Sequence, residues 1–299
     1  MRYGLALLLC ATLTCSVSAQ SRDPLQLATA VVAEGRRIAY GTDPLQFGEL
    51  RIPAGRGPHP VAIVVHGGCW LAQIGTIDPR AVAFDNMRPL AAALTEAGIA
   101  TWNIEYRRLD HPGGGWPGSF QDVARGADFV RTLAKSNALD LSRAIAIGHS
   151  AGGHFAMWLA ARTRLPKNSD LYVDNPIRLT GVVNLDGPPD LKATLAVQQP
   201  ICGRPVITQL LGGSPDAQPV RYREGSPIEL LPLGVKQEVF AGAMFAAQAA
   251  PYEAAAKQAG ESPRMTVLPK QGHFDFIDPQ SPLWPQVLAA VRRTLSRPE

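Results

Sequence analysis

Short apolar runs rich in β-branched residues recur along the chain and alternate with longer stretches whose apolar residues are spaced three and four apart. A strand that is apolar at nearly every position is typical of a parallel sheet covered by helices on both faces. The alternation therefore predicts an α/β fold with a mainly parallel central sheet flanked by helices. The predicted buried strands span residues 61–65, 99–106, 144–147, 180–185, 236–241 and 264–268.

Two shorter runs, 37–40 and 45–52, precede these strands and are separated by the turn-forming residues Gly41-Thr42-Asp43-Pro44. This arrangement predicts a hairpin at the edge of the sheet. Helical spacing of the apolar residues predicts helices between and after the strands. These predicted helices span residues 79–97, 119–136, 154–161 and 282–295.

The stretch from Gly187 to Gly234 is rich in proline and glycine and has no clear period. It lies between the sixth and seventh predicted strands and is too long for a simple loop in a compact domain. We therefore expect it to form a cap inserted over the functional site, within a single domain that spans residues 20–299.

The first residues carry the three parts of a secretory signal, namely a charge at Arg2, an apolar stretch over 5–13 and the small-residue sequence Val17-Ser18-Ala19. Cleavage is expected after Ala19, which makes residues 1–19 a signal peptide and the mature protein periplasmic or secreted. A lipoprotein is less favoured, because the residue before each cysteine of this segment is not small. No later segment has the roughly 18 consecutive apolar residues that a membrane span needs.

Charge and cysteine content narrow the partners and the compartment. The formal net charge of +4 becomes +3 once Arg2 leaves with the signal peptide, and no concentrated basic stripe is left. Nucleic acid is therefore not an expected partner.

Two of the four cysteines also leave with the signal, and an oxidising compartment favours pairing of the remaining two. We predict a Cys69–Cys202 disulfide, the alternative being that both are small buried residues.

The segment Gly148-His149-Ser150-Ala151-Gly152 follows a predicted strand and precedes a predicted helix. The pattern G-x-S-x-G in this setting is typical of a serine nucleophile on a sharp strand-to-helix turn. Glycine is needed on both sides of the serine because a side chain there would collide with neighbouring backbone. Ser150 is therefore the candidate nucleophile, projecting alone above the sheet.

A serine hydroxyl is a weak nucleophile at neutral pH, so it needs a base, an acid that orients the base, and donors for the oxyanion. The loop His66-Gly67-Gly68-Cys69-Trp70 follows the first buried strand, and its glycines let backbone N–H groups turn toward the site. We predict an oxyanion hole formed by the N–H groups of Gly68, Cys69 and Ala151. The alternative is a tight turn beside a buried tryptophan.

The candidate base is His273, in the loop Gln271-Gly272-His273-Phe274 after the last predicted strand. His154 lies four residues beyond Ser150 on the same helix face and is more typical of a packing histidine. Another polar segment, Glu105-Tyr106-Arg107-Arg108, ends a predicted strand. We expect it to form ion pairs that hold the loop behind the oxyanion turn.

These pieces, in this order over most of residues 36–295, resemble the α/β-hydrolase superfamily. Within it, the motif His66-Gly67-Gly68-x-Trp70, the segment from Gly148 to His154 and the phrase from Gly225 to Pro232 are most similar to the kynurenine formamidase and carboxylesterase-like branch. The resemblance implies an α/β-hydrolase fold and hydrolysis through a catalytic serine. It implies little about the substrate.

The chain departs from that family at the acid. The family usually carries H-G-x-x-D after the penultimate strand, and the matching stretch here places Phe245 where the aspartate is expected. Asp186, at the end of strand 180–185, is the proposed replacement, because some α/β-hydrolases carry their acid after that strand. A turn-capping role for Asp186 is the alternative. The other candidate acids are Asp190, Glu253 and Asp275.

The leading hypothesis is an exported serine hydrolase that cleaves carboxylic esters through an acyl-enzyme intermediate. A second is an aryl-formamide hydrolase, which the resemblance suggests and the expected export disfavours. A third is a hydrolase fold that binds a ligand without turnover, because the expected aspartate is missing.

The expected partner is a small-molecule ester or amide. No metal or organic cofactor is expected, because no Cys/His cluster has ligand spacing. Substrate contacts are expected from Trp70, His149 and Phe245, although large aromatic side chains also pack in cores.

Overall fold

The structure, a computed structural model, describes residues 22–72 and 83–296, so the predicted signal peptide lies outside the described residues. Its centre is one sheet of eight strands. In chain order the strands are β1 (Arg36–Ala39), β2 (Phe47–Arg51), β3 (His59–Val65), β4 (Ala100–Ile104), β5 (Leu139–His149), β6 (Gly181–Leu185), β7 (Lys236–Ala241) and β8 (Arg264–Val267). Every strand predicted from the apolar runs is present, with ends that differ by a few residues.

The strand order across the sheet is β1-β2-β4-β3-β5-β6-β7-β8. Strands β3 to β8 run parallel, and β2 is antiparallel to both of its neighbours, β1 and β4. The register of the first pair joins Arg36 to Leu50 and Ala39 to Phe47, which confirms the predicted edge hairpin. The sheet is therefore mainly parallel, as predicted.

Helices cover both faces of the sheet. In chain order they are α1 (Pro24–Ala28), α2 (Arg88–Glu96), α3 (Gly118–Asp128), α4 (Val130–Leu133), α5 (Ala151–Ala161), α6 (Leu191–Thr194), α7 (Gln198–Cys202), α8 (Val206–Leu211), α9 (Pro219–Gly225), α10 (Ala246–Gln258) and α11 (Trp284–Leu295). Short 3-10 helices occupy Arg162–Arg164, Pro227–Leu230 and His273–Phe276.

Side chains of β3 alternate between two cores, one on each face of the sheet. Val61, Ile63 and Val65 lie in one core together with residues of α3 and α5. Ala62 and Val64 lie in the other together with residues of α2 and α11. All five side chains are fully buried, which explains why this run is apolar at every position.

Several helices differ from the predicted ones. The helix predicted over 119–136 is interrupted at Phe129, where α3 gives way to α4. Helix α10 is not predicted by the sequence pattern, because its alanine-rich sequence lacks an amphipathic spacing and contains Pro251. The predicted helix 79–97 begins outside the described residues, and α2 forms its second half.

The stretch predicted as a cap, 187–234, contains the four short helices α6 to α9 and a 3-10 turn between β6 and β7. Apolar side chains of α8 are fully buried in the same core as Val61 and Phe155. The stretch is thus packed onto the sheet core on the side of α3 and α5. Among the described residues, no helix is long and apolar enough to cross a membrane.

The predicted oxyanion loop and the three predicted catalytic residues lie at or beyond the carboxyl ends of parallel strands. The predicted oxyanion loop follows β3, Ser150 follows β5, Asp186 follows β6 and His273 lies beyond β8. The carboxyl ends of parallel strands meet at one edge of the sheet, where open α/β sheets place their sites. The topology therefore brings four distant parts of the sequence to one edge.

Candidate active site

Ser150 occupies the one-residue turn between β5 and α5. Its backbone has φ 56° and ψ −124°, a conformation that non-glycine residues rarely adopt. The Ser150 N–H donates to the Leu185 carbonyl (3.0 Å), and its carbonyl accepts from Gly153 (2.8 Å) and His154 (3.2 Å). These hydrogen bonds to β6 and to the first turn of α5 hold the strained residue in place.

The two glycines that flank the serine are required by contacts with other backbone. A Cβ atom on Gly148 would lie 2.0 Å from the Gly152 carbonyl oxygen, and one on Gly152 would lie 2.1 Å from the Val65 carbonyl oxygen. Both distances are far below van der Waals contact. This turn, the elbow of residues 148–152, thus packs directly against the end of β3. A side chain at Gly152 would separate the elbow from β3, and one at Gly148 would separate β5 from the start of α5.

His273 and Asp186 form the central contact of the site. The Nδ1 atom of His273 donates to Oδ2 of Asp186 at 2.7 Å. Asp186 is fully buried, and its other oxygen, Oδ1, accepts from the Gly242 N–H (2.7 Å) and the Phe245 N–H (3.2 Å). The carboxylate therefore has a donor on each oxygen, with His273 as one of them.

Phe245 supports the acid with its backbone although it replaces the expected aspartate. Its N–H bonds to Asp186, while its ring is buried with its centroid 6.5 Å from that of His273. The loop after β7 also packs closely on the acid, because a Cβ on Gly242 would lie 2.8 Å from Asp186 Oδ2. The loop that usually carries the acid here holds it in place.

The three other candidate acids have different partners. Asp190 caps the N-terminus of α6 by accepting from the N–H groups of Lys192 (2.8 Å) and Ala193 (3.1 Å). Glu253 pairs with Lys257 on the surface of α10 at 2.6 Å. Asp275 accepts from the Gly272 N–H at 3.0 Å and from the Gln271 side chain. Among the candidates, the structure brings Asp186 to His273.

His149 has a role that the sequence does not reveal. Its Nε2 donates to the backbone carbonyl of His273 (2.9 Å), and the two rings lie 4.2 Å apart between centroids. Burial lowers the pKa of His149 well below its ordinary value, and the charge of His273 adds to that effect. A neutral His149 therefore ties the residue before Ser150 to the His273 loop. The G-x-S-x-G pattern leaves this position open, so only the fold identifies the contact.

The predicted oxyanion loop has an unusual backbone. Gly68, Cys69 and Trp70 have φ values of 94°, 53° and 54°, all in the left-handed region. The turn closes with a hydrogen bond from the Leu71 N–H to the Gly68 carbonyl at 2.9 Å. Among the described residues, no carbonyl accepts from the N–H groups of Gly68, Cys69 or Ala151. Their function as an oxyanion hole stays a prediction.

A buried polar cluster lies behind this loop, as predicted for the segment after β4. His66 donates from Nε2 to Glu105 (2.9 Å) and from Nδ1 to the Gly67 carbonyl (2.9 Å). Glu105 also accepts from Arg108 (3.2 Å) and from the Tyr106 N–H (2.7 Å). Burial by itself would raise the pKa of Glu105, but the charges and hydrogen bonds of His66 and Arg108 outweigh it and lower that pKa. The cluster thus anchors the start of the loop to β4.

The loop is also linked covalently to the segment after β6. Cys69 and Cys202 form the predicted disulfide, which joins residues separated by 133 positions. Cys69 is buried, and Cys202 is the last residue of α7. One of the predicted oxyanion donors therefore belongs to a residue that is crosslinked to the predicted cap.

The residues predicted to contact substrate are almost entirely covered in this structure. Trp70, His149 and Phe245 expose 2%, 3% and 5% of their surface, and their role in substrate binding stays a prediction. The Trp70 ring meets that of His154 at 5.4 Å between centroids.

His154 is fully buried, and its Nε2 donates to the Gly225 carbonyl at 2.7 Å, in keeping with a packing histidine. Burial lowers its pKa to about 4.

Comparison with known proteins shows which protein family the chain matches. The family model described as BD-FAE matches residues 50–232. A comparison with curated proteins gave no match.

Several solved structures share the fold at low sequence identity. A truncated carbohydrate esterase from gut microbiota has a TM-score of 0.70 at 19% identity, with 89% of this chain and 97% of that chain covered. Esterase B from Lactobacillus rhamnosis (HN001) has a TM-score of 0.71 at 19% identity, covering 93% and 87%. A thermophilic esterase from the Planctomycetes species Thermogutta terrifontis, bound to propionate, has a TM-score of 0.67 at 16% identity, covering 89% and 97%. These likenesses show that the fold is the predicted α/β-hydrolase fold.

Proposed function

Because the chain belongs to the BD-FAE family, a family of the α/β-hydrolase type, we propose that it is an exported serine hydrolase that cleaves carboxylic esters through an acyl-enzyme intermediate. The observation that carries the proposal is the 2.7 Å hydrogen bond from His273 to the buried Asp186, in a loop that also contacts His149, the residue before the strained Ser150. The esterases that share the fold support ester hydrolysis as the reaction.

In the proposed acylation step, the Ser150 Oγ attacks the ester carbonyl and transfers its proton to Nε2 of His273. Nδ1 of His273 is engaged with Asp186, which leaves Nε2 as the nitrogen that serves as base. Asp186 holds the imidazole in that tautomer and stabilises the positive charge that develops on it. His273 then gives the proton to the leaving alcohol, and the acyl group stays on Ser150.

The oxyanion of each tetrahedral intermediate is proposed to lie between the N–H groups of Gly68, Cys69 and Ala151. Loss of one donor of this kind costs on the order of 3 kcal/mol in the barrier. In the second half of the reaction, water is deprotonated by His273 and attacks the acyl carbonyl, which releases the acid and regenerates Ser150. Every step uses side chains and backbone groups of this chain.

The contact between His273 and Asp186 also weighs against a fold that binds without turnover. That alternative arose from Phe245 at the usual acid position, and the carboxylate of Asp186 supplies the missing group from the neighbouring strand. The aryl-formamide alternative uses the same site residues, so it differs only in substrate. The likeness to a carbohydrate esterase favours esters instead, including esters of sugars.

The proposal is tested with the mature protein, starting at Gln20, and its Ser150→Ala variant. A fluorophosphonate probe is expected to label the mature protein once, on the peptide that contains Ser150. p-Nitrophenyl esters from acetate to decanoate and an acetylated sugar are expected to be hydrolysed with an initial burst equal to the number of labelled sites. Ser136→Ala, on the surface after α4, is the matched control and should behave as wild type.

Three outcomes would contradict parts of the proposal. Equal labelling of Ser150→Ala would exclude Ser150 as the nucleophile. Faster hydrolysis of N-formylkynurenine than of every ester would favour the formamidase alternative. Absence of both labelling and turnover in the wild type would favour a fold that binds without catalysis.

Export is the second part of the proposal, and the Cys69–Cys202 disulfide supports it because disulfides persist in oxidising compartments. Expression of the full chain in a bacterium is expected to give a periplasmic or secreted protein whose first residue is Gln20. N-terminal sequencing of the fractionated protein measures this. Recovery in the cytoplasm with residues 1–19 still attached would contradict export.

A further inference from the structure

The predicted oxyanion loop and the segment that pairs with its end are linked to the stretch after β6 at two neighbouring points. The first is the Cys69–Cys202 disulfide at the end of α7. The second is a bidentate ion pair in which Arg204, two residues beyond Cys202, donates to both oxygens of Asp110 at 2.8 and 3.1 Å. Cys202 ends α7 and Arg204 follows it by two residues, so both links lie at the same end of this short helix.

Asp110 is connected to the far side of the loop by backbone hydrogen bonds. The N–H of its neighbour Leu109 donates to the Trp70 carbonyl (2.7 Å), and the Ala72 N–H donates to the Leu109 carbonyl (3.0 Å). The segment that Arg204 holds is therefore the segment that pairs with the end of the loop. The disulfide holds the loop at Cys69, and the ion pair holds the neighbouring segment that pairs with Trp70 and Ala72.

The loop conformation itself requires such support. Cys69 and Trp70 are consecutive non-glycine residues with φ of 53° and 54°, a conformation that is unfavourable for residues with a side chain. Only the surrounding structure can keep two of them in this state. A released loop would relax toward ordinary backbone, and the direction of the Cys69 N–H would change with φ.

We propose that Cys202 is a positioning residue of the oxyanion hole. Through the disulfide it fixes the Cys69 backbone in the left-handed conformation that directs the Cys69 N–H into the site. Arg204 assists by holding Asp110. The inference rests on the proposed serine-hydrolase function and assigns the disulfide a part in transition-state stabilisation, beyond its effect on folding.

The test compares Cys202→Ser with wild type, and Ala196→Ser, an exposed position just before α7, is the matched control. Active-site titration with the fluorophosphonate first counts the competent sites, so that rates are expressed per folded site. We expect kcat for p-nitrophenyl acetate to fall about tenfold or more in Cys202→Ser, with KM changed by less than about threefold. Inhibition by a trifluoromethyl ketone, whose tetrahedral adduct occupies the oxyanion hole, should weaken by a similar factor.

A second measurement on the wild type keeps the inference testable if Cys202→Ser fails to fold. Dithiothreitol under native conditions breaks the S–S bond, supplies the two electrons and two protons of the new thiols, and leaves as its cyclic disulfide. The thiol count should rise from zero to two, kcat per site should fall about tenfold, and reoxidation should restore it.

The inference is overturned if kcat per titrated site and the affinity for the trifluoromethyl ketone stay at wild-type values once the disulfide is broken. A fall in the number of titrated sites at unchanged kcat per site would likewise overturn it, because the disulfide would then serve only folding. Failure of the proposed function is distinguished from both results, since the oxidised wild type itself would then show no labelling and no turnover.

Discussion

At the scale of single residues, Asp186 shows how a buried carboxylate is held between the end of β6 and the loop after β7. Asp186 has a left-handed φ of 49° directly after β6, and two backbone N–H groups of the loop after β7 bind its Oδ1. Its Oδ2 is left for His273. A charged carboxylate that is fully buried requires such a set of donors, because burial without them is costly.

Replacement of Asp186 by asparagine is expected to lower kcat by two to four orders of magnitude, because an amide permits the wrong tautomer of the base, as in a serine-protease triad where the loss was about 10⁴. Steady-state hydrolysis of p-nitrophenyl acetate measures the effect. Asp190→Asn is the control, since that side chain caps α6 and should change kcat by less than about twofold. A value of kcat within a few fold of wild type for Asp186→Asn would show that another group orients His273.

His154 makes the stability of the fold depend on pH. Burial lowers its pKa from 6.5 to about 4, so between these values the unfolded chain binds a proton that the folded chain does not. Stability therefore falls as the pH decreases from about 6.5 to about 4, by about 3 kcal/mol for this residue alone. The neutral His149 acts in the same direction.

The expected result is that His154→Gln, which can still donate to the Gly225 carbonyl, loses less stability than wild type on going from pH 7 to pH 4. The difference between the two proteins should change by about 3 kcal/mol over this range. Urea unfolding at several pH values measures it. Parallel stability curves for the two proteins would contradict the low pKa of His154.

At the scale of elements, the elbow and β3 behave as one packed unit. Gly152 is in the first turn of α5, yet a Cβ at this position would lie 2.1 Å from the Val65 carbonyl oxygen and 2.5 Å from that of His66. These two oxygens belong to the end of β3 and the start of the oxyanion loop. The packing of the predicted nucleophile against the predicted oxyanion loop thus depends on a glycine in a helix.

We expect Gly152→Ala to lower the free energy of unfolding by about 3 kcal/mol or more, because backbone on both sides must move apart. The matched control is Gly260→Ala, where φ is 83° but no atom lies within 4 Å of the added Cβ. That change should cost only the left-handed penalty of about 1 kcal/mol. Chemical denaturation compares the two, and equal costs would show that the elbow adjusts without strain.

At the scale of the whole molecule, the disulfide connects parts of the chain that are far apart in sequence. It closes a loop of 133 residues that includes β4, β5 and β6. Crosslinks of this span restrict the unfolded chain strongly, and the loop-entropy relation gives about 5 kcal/mol at this length. The bond that links Cys69 of the predicted oxyanion loop to α7 therefore contributes to global stability.

Chemical denaturation with and without a reductant is expected to show that the free energy of unfolding is lower by about 5 kcal/mol in the reduced protein. The Cys69→Ala/Cys202→Ala double variant is the control, because its stability should not respond to the reductant. A difference below about 1 kcal/mol in the wild type would mean that the unfolded chain gains little freedom on reduction.

Much of the fold could be predicted because buried strands of a parallel sheet are largely apolar, and that signal does not depend on distant contacts. Helix α10 could not be predicted from apolar spacing, since its alanine-rich sequence favours a helix but carries no amphipathic period, and its packing against β7 and β8 is a tertiary contact. The contact of His149 with the His273 carbonyl was also out of reach, because it joins residues 124 positions apart.

The amino-acid sequence by itself determined where each buried strand lies, which turn needs glycines around Ser150, and which loops carry His273 and the oxyanion candidates. Local patterns suffice for these features, because apolar runs and glycine-rich turns are dictated by short-range geometry. Only the tertiary structure decided which of the candidate carboxylates meets His273 and which backbone conformation the disulfide-bonded Cys69 adopts. Both depend on the way β6, β7 and the helices between them pack at one edge of the sheet, and hydrogen bonds across such distances leave no local pattern in the sequence.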